Sequence, residues 1–347
     1  MNSEAYRKLE YIDIAKGIGI ILVVLGHAIS KDYTATSKTL YCIRYIIYLV
    51  HMPVFFIISG YLFERNKDSY VKNGFFKFLK KKSTIYLLPY AFFSCLLFLV
   101  GVVVNLLFRE SLIADIIHNF GFNNLDFRCF IYSLLTFINH PDNHLWFAYV
   151  MFYILIIAFC INKIPVHYTI PVLYVFYILT WYVRLPELAW KIIRYMLIFQ
   201  IGREIWVLQK NGLYNGKIRL VLSVSTISSV LMIYLEFRNI KLLQAIIKPF
   251  AEVFSAILIL YLSNVIVFIK RYGVEKVLSF IGKRSYAVYL IHQPYIVPVI
   301  SLICKNHFSV NCTIIVAFAC GLMFPLLLNE FVINKSKVLK ILILGGH

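Results

Sequence analysis

The sequence predicts an all-α fold: a polytopic bundle of about ten transmembrane helices with both termini in the cytoplasm. Three observations carry this. Of the 347 residues, 61% are hydrophobic and only 15% charged, against about 45–50% and about 25% in an average soluble domain. The apolar residues gather into runs of about twenty, the length that spans about 30 Å of hydrocarbon. The chain's net charge is +19, and its basic residues sit in short clusters between those runs, as in the cytoplasmic loops of membrane proteins. That clustering excludes nucleic acid as a partner and suits the anionic lipids of an inner leaflet.

In chain order, the spans are read at roughly 12–30, 42–63, 84–108, 144–162, 166–184, 189–208, 217–236, 249–269, 285–303 and 311–333. The stretch 126–139 is apolar but short, as in a segment that lies in the interface or dips back into the bilayer. No repeat, low-complexity tract or soluble domain interrupts the chain, so 1–347 reads as a single membrane domain. The first apolar run contains Asp13 and Lys16, and no small-residue cleavage site follows it, so it is read as a retained helix. With the N-terminus inside, 22 Lys and Arg lie on the cytoplasmic side and 12 on the other, the densest group running from Arg65 to Lys82. This bias sets the orientation. Seven scattered cysteines (42, 95, 129, 160, 304, 312 and 320) form no CxxC pair. They are expected to be small buried apolar residues, not disulfides or metal ligands.

The first span, YIDIAKGIGIILVVLGH from Tyr11 to His27, carries three groups that hydrocarbon solvates poorly: Asp13, Lys16 and His27. Lys16 and His27 are eleven residues apart, which leaves them about 20° apart around a helix of about 100° per residue. Asp13 falls within about 40° of His27 on the other side, so all three share one stripe. Asp13 and Lys16 are also spaced to pair. Such a stripe faces a bundle interior or a wet cavity. It suits a buried structural pair plus a hydrogen-bonded histidine. It also suits a reaction path, because histidine is the side chain best able to move protons near neutral pH.

The second span reads HMPVFFIISGYLF from His51 to Phe63. Ser59-Gly60 offers a hydroxyl and a point of close helix approach, and Pro53 removes one helical hydrogen bond beside His51. Further on, NHPDNHLWFAYVMF runs from Asn139 to Phe152. His140 and His144 are four apart, but Pro141 interrupts a helix through both, and the only nearby carboxylate is Asp142. No HExxH pattern is present, so no metal site is expected. Trp146 suits an interfacial belt. Near the end, FIGKRSYAVYLIHQPY places His292 about two turns into a helix that follows Gly282-Lys283-Arg284. His51, Ser59, His144 and His292 each read as packing residues or as pocket lining.

Four blocks occur in order over nearly the whole chain: IDIAKGIGIILVVLGH at 12–27, HMPVFFIISGYLF at 51–63, NHLWFAYVMF at 143–152 and FIGKRSYAVYLIHQP at 280–294. A weaker block, PLLLNEFV, follows at 325–332. Together they resemble the acyltransferase-3 family of integral membrane acyltransferases, and most of all its fucose 4-O-acetylase-like or polysaccharide O-acetyltransferase members. The resemblance implies transfer of an acyl group, usually acetyl, from cytoplasmic acyl-CoA to a hydroxyl of a cell-surface or lipid-linked glycan. The implied setting is a bacterial inner membrane, beside polysaccharide biosynthesis proteins. Acetyl-CoA is then a donor substrate, and no bound cofactor is expected.

The motif most characteristic of that family is a basic residue and a histidine separated by ten residues. Here it falls on Lys16 and His27. Many members carry arginine where this chain has Lys16. The resemblance makes His27 the expected general base. Lys16, with Asp13, is expected to hold the donor, and Ser59 to help bind donor or oxyanion. His51, His144, Trp146 and His292 are expected to line the pocket. A regular helix puts Lys16 about 16 Å from His27, too far for both to touch one carbonyl. Two other classes compete: a transporter or exporter of glycan precursors, and a non-catalytic scaffold.

Overall fold

The computed structural model describes residues 3–107, 127–137, 143–212, 218–269 and 273–346. Among them every regular element is helical and there is no strand. The helices are α1 (Ser3–Ala28), α2 (Lys31–Thr36), α3 (Lys38–Arg65), α4 (Lys67–Asn73), α5 (Phe75–Lys82), α6 (Leu88–Leu107), α7 (Phe127–Thr136), α8 (Trp146–Cys160) and α9 (Val166–Leu179). There follow α10 (Glu187–Lys210), α11 (Ile218–Arg238), α12 (Lys241–Ile269), α13 (Val274–Lys283), α14 (Ser285–Ile291), α15 (Val297–Cys304), α16 (Val310–Phe331) and α17 (Lys337–Leu344). Helix is the form that satisfies each backbone group within its own segment, as hydrocarbon requires.

Seven described stretches are long and apolar enough to cross a membrane: Glu10–Ala28, Lys38–Arg65, Phe75–Val103, Asn143–Cys160, Leu220–Arg238, Lys241–Ile269 and Val310–Lys335. They overlap seven of the ten expected spans, and the other three differ for physical reasons. Helix α9 has 14 residues, about 21 Å of rise. Helix α10 has the length, but six charged residues punctuate it, from Glu187 to Lys210. The span expected at 285–303 is divided into α14 and α15 on either side of Pro294, whose nitrogen has no proton to donate. Helix α7 has 10 residues, about 15 Å, or half the hydrocarbon thickness. His140, Pro141 and Asp142 lie outside the described residues.

The chain divides into two compact units. The first holds Met1–Ser69, Ile161–Arg184 and Ile193–Leu326. Two glycine crossings organise it. A Cβ on Gly17 of α1 would fall on the Leu278 carbonyl of α13, and one on Gly282 would fall on the Asp13 carbonyl. Likewise a Cβ on Gly60 of α3 would fall on the Phe199 carbonyl of α10, and one on Gly202 on that of Ile57. Only glycine lets two helix backbones meet in this way. The Gly60 crossing carries a buried ion pair. Arg203, fully buried, donates Nε to Glu64 Oε2 at 2.7 Å and Nη1 to Gln200 at 3.0 Å, while Nη2 stands 2.7 Å from the same carboxylate oxygen as an ion-pair contact.

The second unit holds Tyr70–Cys160, Leu185–Ile192 and Leu327–His347. Aromatic packing dominates it: Phe78 stacks on Phe159, Tyr90 packs on Tyr149, and Phe98 stacks on Phe130. Two expectations are corrected by burial. Arg203 and Lys191 are buried within α10, not loop charges. One comes off each side of the charge tally, so the bias is unchanged. Of the cysteines, only Cys304 is buried, while Cys95, Cys129 and Cys160 are exposed on the helix surfaces.

Candidate active site

Three helices of the first unit bring together residues from both ends of the chain. Helix α1 supplies His27 near its C-terminal end. Helix α3 supplies Arg44, Tyr48 and His51, spaced i, i+4 and i+7 on one face. The end of α14 supplies His292, which is fully buried. The His27 and His292 rings lie 5.2 Å apart between centroids. Tyr48 packs edge-on against both His27, at 6.1 Å, and His51, at 4.7 Å. Gly26 permits this: a Cβ there would stand 2.9 Å from Ile47 Cγ2 and 3.1 Å from the Tyr48 ring.

Backbone carbonyls fix two of the imidazoles. His51 Nδ1 is 2.7 Å from the Ile47 carbonyl oxygen. His292 Nδ1 is 2.9 Å from that of Val288 and 2.8 Å from that of Tyr289. A carbonyl oxygen only accepts, so in both rings Nδ1 carries the proton and donates it. Nε2 is then left with the lone pair in the neutral ring.

The expected Asp13–Lys16 pair forms at 3.2 Å. It sits where α13 crosses α1, since Asp13 offers its carbonyl to Gly282 and Gly17 follows Lys16. Helices α1 and α3 run antiparallel, because Gly26 faces Ile47 and Tyr48 while Gly19 faces Val54 and Phe55. Continuing that register sets Ser59 level with Asp13 and Lys16. It lies eight residues beyond His51, about 12 Å along the helix. Ser59 therefore belongs to the Lys16 end, away from the His27 ring. Helix α3 runs unbroken through Pro53.

His144 and Trp146 belong to the second unit. There the Lys191 ammonium stands 4.6 Å over the Trp146 ring and 5.6 Å over Trp190, paired with Glu187. Trp146 thus carries a cation on its face, and an interfacial belt is not needed to explain it.

Sequence reading passed over Tyr48 and Arg44, although their spacing from His51 is a helical signal. It also passed over Glu64–Arg203, whose partners are 139 residues apart and leave no local trace. The same holds for Glu252, a buried carboxylate that accepts a hydrogen bond from Tyr177 at 3.1 Å, with Lys248 at 3.8 Å.

The model of a protein family described as an acyltransferase domain matches residues 9–330. The chain belongs to the acyltransferase-3 family. Among curated proteins, this chain is 33% identical over 87 residues to the nodulation protein NolL of Sinorhizobium fredii. That match covers 24% of this chain and 23% of the relative, so the chain spans less than a quarter of that protein's length. No solved structure matches. Its family match and its apolar helices are those of a membrane protein of the acyltransferase-3 family.

Proposed function

We propose that this acyltransferase moves an acetyl or other short acyl group from cytoplasmic acyl-CoA to a hydroxyl of a cell-surface or lipid-linked glycan. In this reading it works in a bacterial inner membrane, with both termini inside, beside polysaccharide biosynthesis proteins. The supporting observation is the meeting of His27 and His292 in a chain of this family, 265 residues apart in sequence and 5.2 Å apart between rings.

His27 is the general base. Its separation from His292 admits a hydrogen bond from one imidazole to the other. During transfer His292, whose Nδ1–H is held by two carbonyls and whose Nε2 is buried, takes a hydrogen bond from His27 at Nε2 and so orients that ring. The other His27 nitrogen then takes the proton of the acceptor hydroxyl. The hydroxyl oxygen attacks the thioester carbonyl, a C–O bond forms and the C–S bond breaks. The departing thiolate recovers the proton from His27. Lys16 acts at the far end of α1, on the donor's pantetheine or phosphates, with Asp13 holding its ammonium in place. The basic run from Arg65 to Lys82 draws the anionic donor to the membrane surface.

The test is acyl transfer in proteoliposomes, with labelled acetyl-CoA on the Lys16 side and glycan acceptors read by mass spectrometry. Label on sugar is the expected result. Glycan that crosses the membrane unlabelled would instead mark a transporter. His27→Ala should abolish labelling with folding intact, and a wild-type rate in that variant would remove His27 as base.

A further inference from the structure

The base accounts for one of the charges that move in acyl transfer. The other develops on the carbonyl oxygen of the thioester, and it needs a donor aimed at it. Among the described residues, the Tyr48 hydroxyl stands out. It accepts a hydrogen bond from Arg44 Nη2 at 3.0 Å, and its own proton is donated to no described group. Its ring is held on two sides, by His27 and by His51. His51 is itself fixed by its bond to the Ile47 carbonyl. The phenol is therefore oriented, adjacent to the base and free to donate.

Arg44 sharpens that donor. Its guanidinium lies 4.3 Å from the Tyr48 ring centroid, and its Nε is buried without a partner. No described carboxylate pairs with it. Glu236 instead takes hydrogen bonds from Tyr41, Tyr45 and Gln244. A cation that donates to a phenol oxygen polarises the O–H and strengthens the bond it gives onward.

We infer that Tyr48 is the oxyanion donor of the transfer and that Arg44 is the residue that positions and polarises it. The inference rests on His27 as the base. As the acceptor oxygen adds to the thioester carbon, the π pair moves onto the carbonyl oxygen. That oxygen takes the Tyr48 hydrogen bond without taking the proton. Collapse re-forms the C=O bond and expels the thiolate, which is protonated by His27.

The experiment compares Tyr48→Phe with wild type in the proteoliposome assay, with melting temperature as a check on folding. The phenyl ring keeps the packing and loses only the donor. Expected is a fall in kcat of about 10²- to 10³-fold, the usual effect of removing one such donor, with both KM values nearly unchanged. Arg44→Met, which removes the polarising cation, should give a smaller kcat loss of the same kind. An unchanged kcat in Tyr48→Phe overturns the inference, and so does a change confined to acceptor KM. Should Tyr48→Phe fold poorly, 3-fluorotyrosine at position 48 decides, since it keeps the hydroxyl and makes it more acidic. Its kcat must then differ from wild type, and an equal kcat overturns the inference. An active His27→Ala sinks the base, whereas an inactive His27→Ala with a fully active Tyr48→Phe sinks only the donor.

Discussion

Replacing Gly60 by alanine should break the first unit at the crossing of α3 and α10. The added methyl falls on the Phe199 carbonyl oxygen and stands 2.9 Å from that carbonyl's carbon. Carbon atoms pack at about 3.5–4.0 Å, so this contact alone parts the helices by about 0.6–1.1 Å, and the overlap with the oxygen demands more. Neither obstacle is a side chain that can turn aside. The built methyl is also 3.1 Å from the backbone nitrogen of Arg203, so the displacement reaches the Arg203–Glu64 pair. The 2.7 Å bond from Arg203 Nε and the 2.7 Å ion-pair contact of Nη2 stretch to about 3.3 Å or more, at or beyond hydrogen-bond range. Overpacking costs about 1–3 kcal/mol and an opened buried pair about 3–5 kcal/mol. Because both follow from one movement they do not add, and a loss of about 3 kcal/mol or more is expected. Thermal unfolding in detergent should show a Tm lowered by roughly 6 °C or more. Gly19→Ala is the control, since its methyl meets only Phe55 ring atoms at 3.1 Å and a Val54 methyl at 3.6 Å. If the two variants melt together at the wild-type temperature, the backbones do not meet at Gly60.

Three further outcomes follow from the geometry. Lys16→Ala should raise the KM for acyl-CoA about tenfold with the acceptor KM unchanged, and Lys16→Arg should restore most of it, because both cations can pair with Asp13; an effect on acceptor KM alone contradicts the donor role. Arg203→Met should cost about 3 kcal/mol, the low end for an opened buried pair because Lys67 still meets Glu64 at 2.7 Å, while Arg203→Met with Glu64→Leu should cost less than the single change; equal melting of the two would show the pair is not coupled. His292→Ala should lower kcat about 10²-fold by releasing the His27 ring, measured below the lowered Tm that loss of a buried imidazole brings, and an unchanged kcat would show that His27 is oriented by something else.

Much of the fold was legible because hydrocarbon imposes length and apolarity on each helix separately, and both are visible in a short window. The α1 stripe was legible for the same reason: Asp13 and Lys16 pair at the spacing that one helix dictates. What failed were features that depend on a partner helix. Arg203 looks like a loop cation until Glu64, on α3, is placed against it. Gly282 looked like the edge of a helix, yet its lack of a side chain matters only because the Asp13 carbonyl occupies that space. His292 was read as pocket lining, since nothing near it in sequence reveals that His27 is its neighbour. Which end of α1 Ser59 faces shows only in the antiparallel register of α1 and α3, which sets it level with Lys16.

That register has a mechanical side. Both glycine crossings fall at one end of the α1–α3 hairpin, around Lys16, where main chain rests on main chain and no rotamer is available to adjust. At the opposite end the two helices touch through rings, Tyr48 of α3 against His27 of α1, and rings can swing. A single helix pair thus has a stiff root and a compliant tip. In the proposed reaction the chemistry falls at the tip, where side-chain rotation would admit the acceptor while the root holds its alignment.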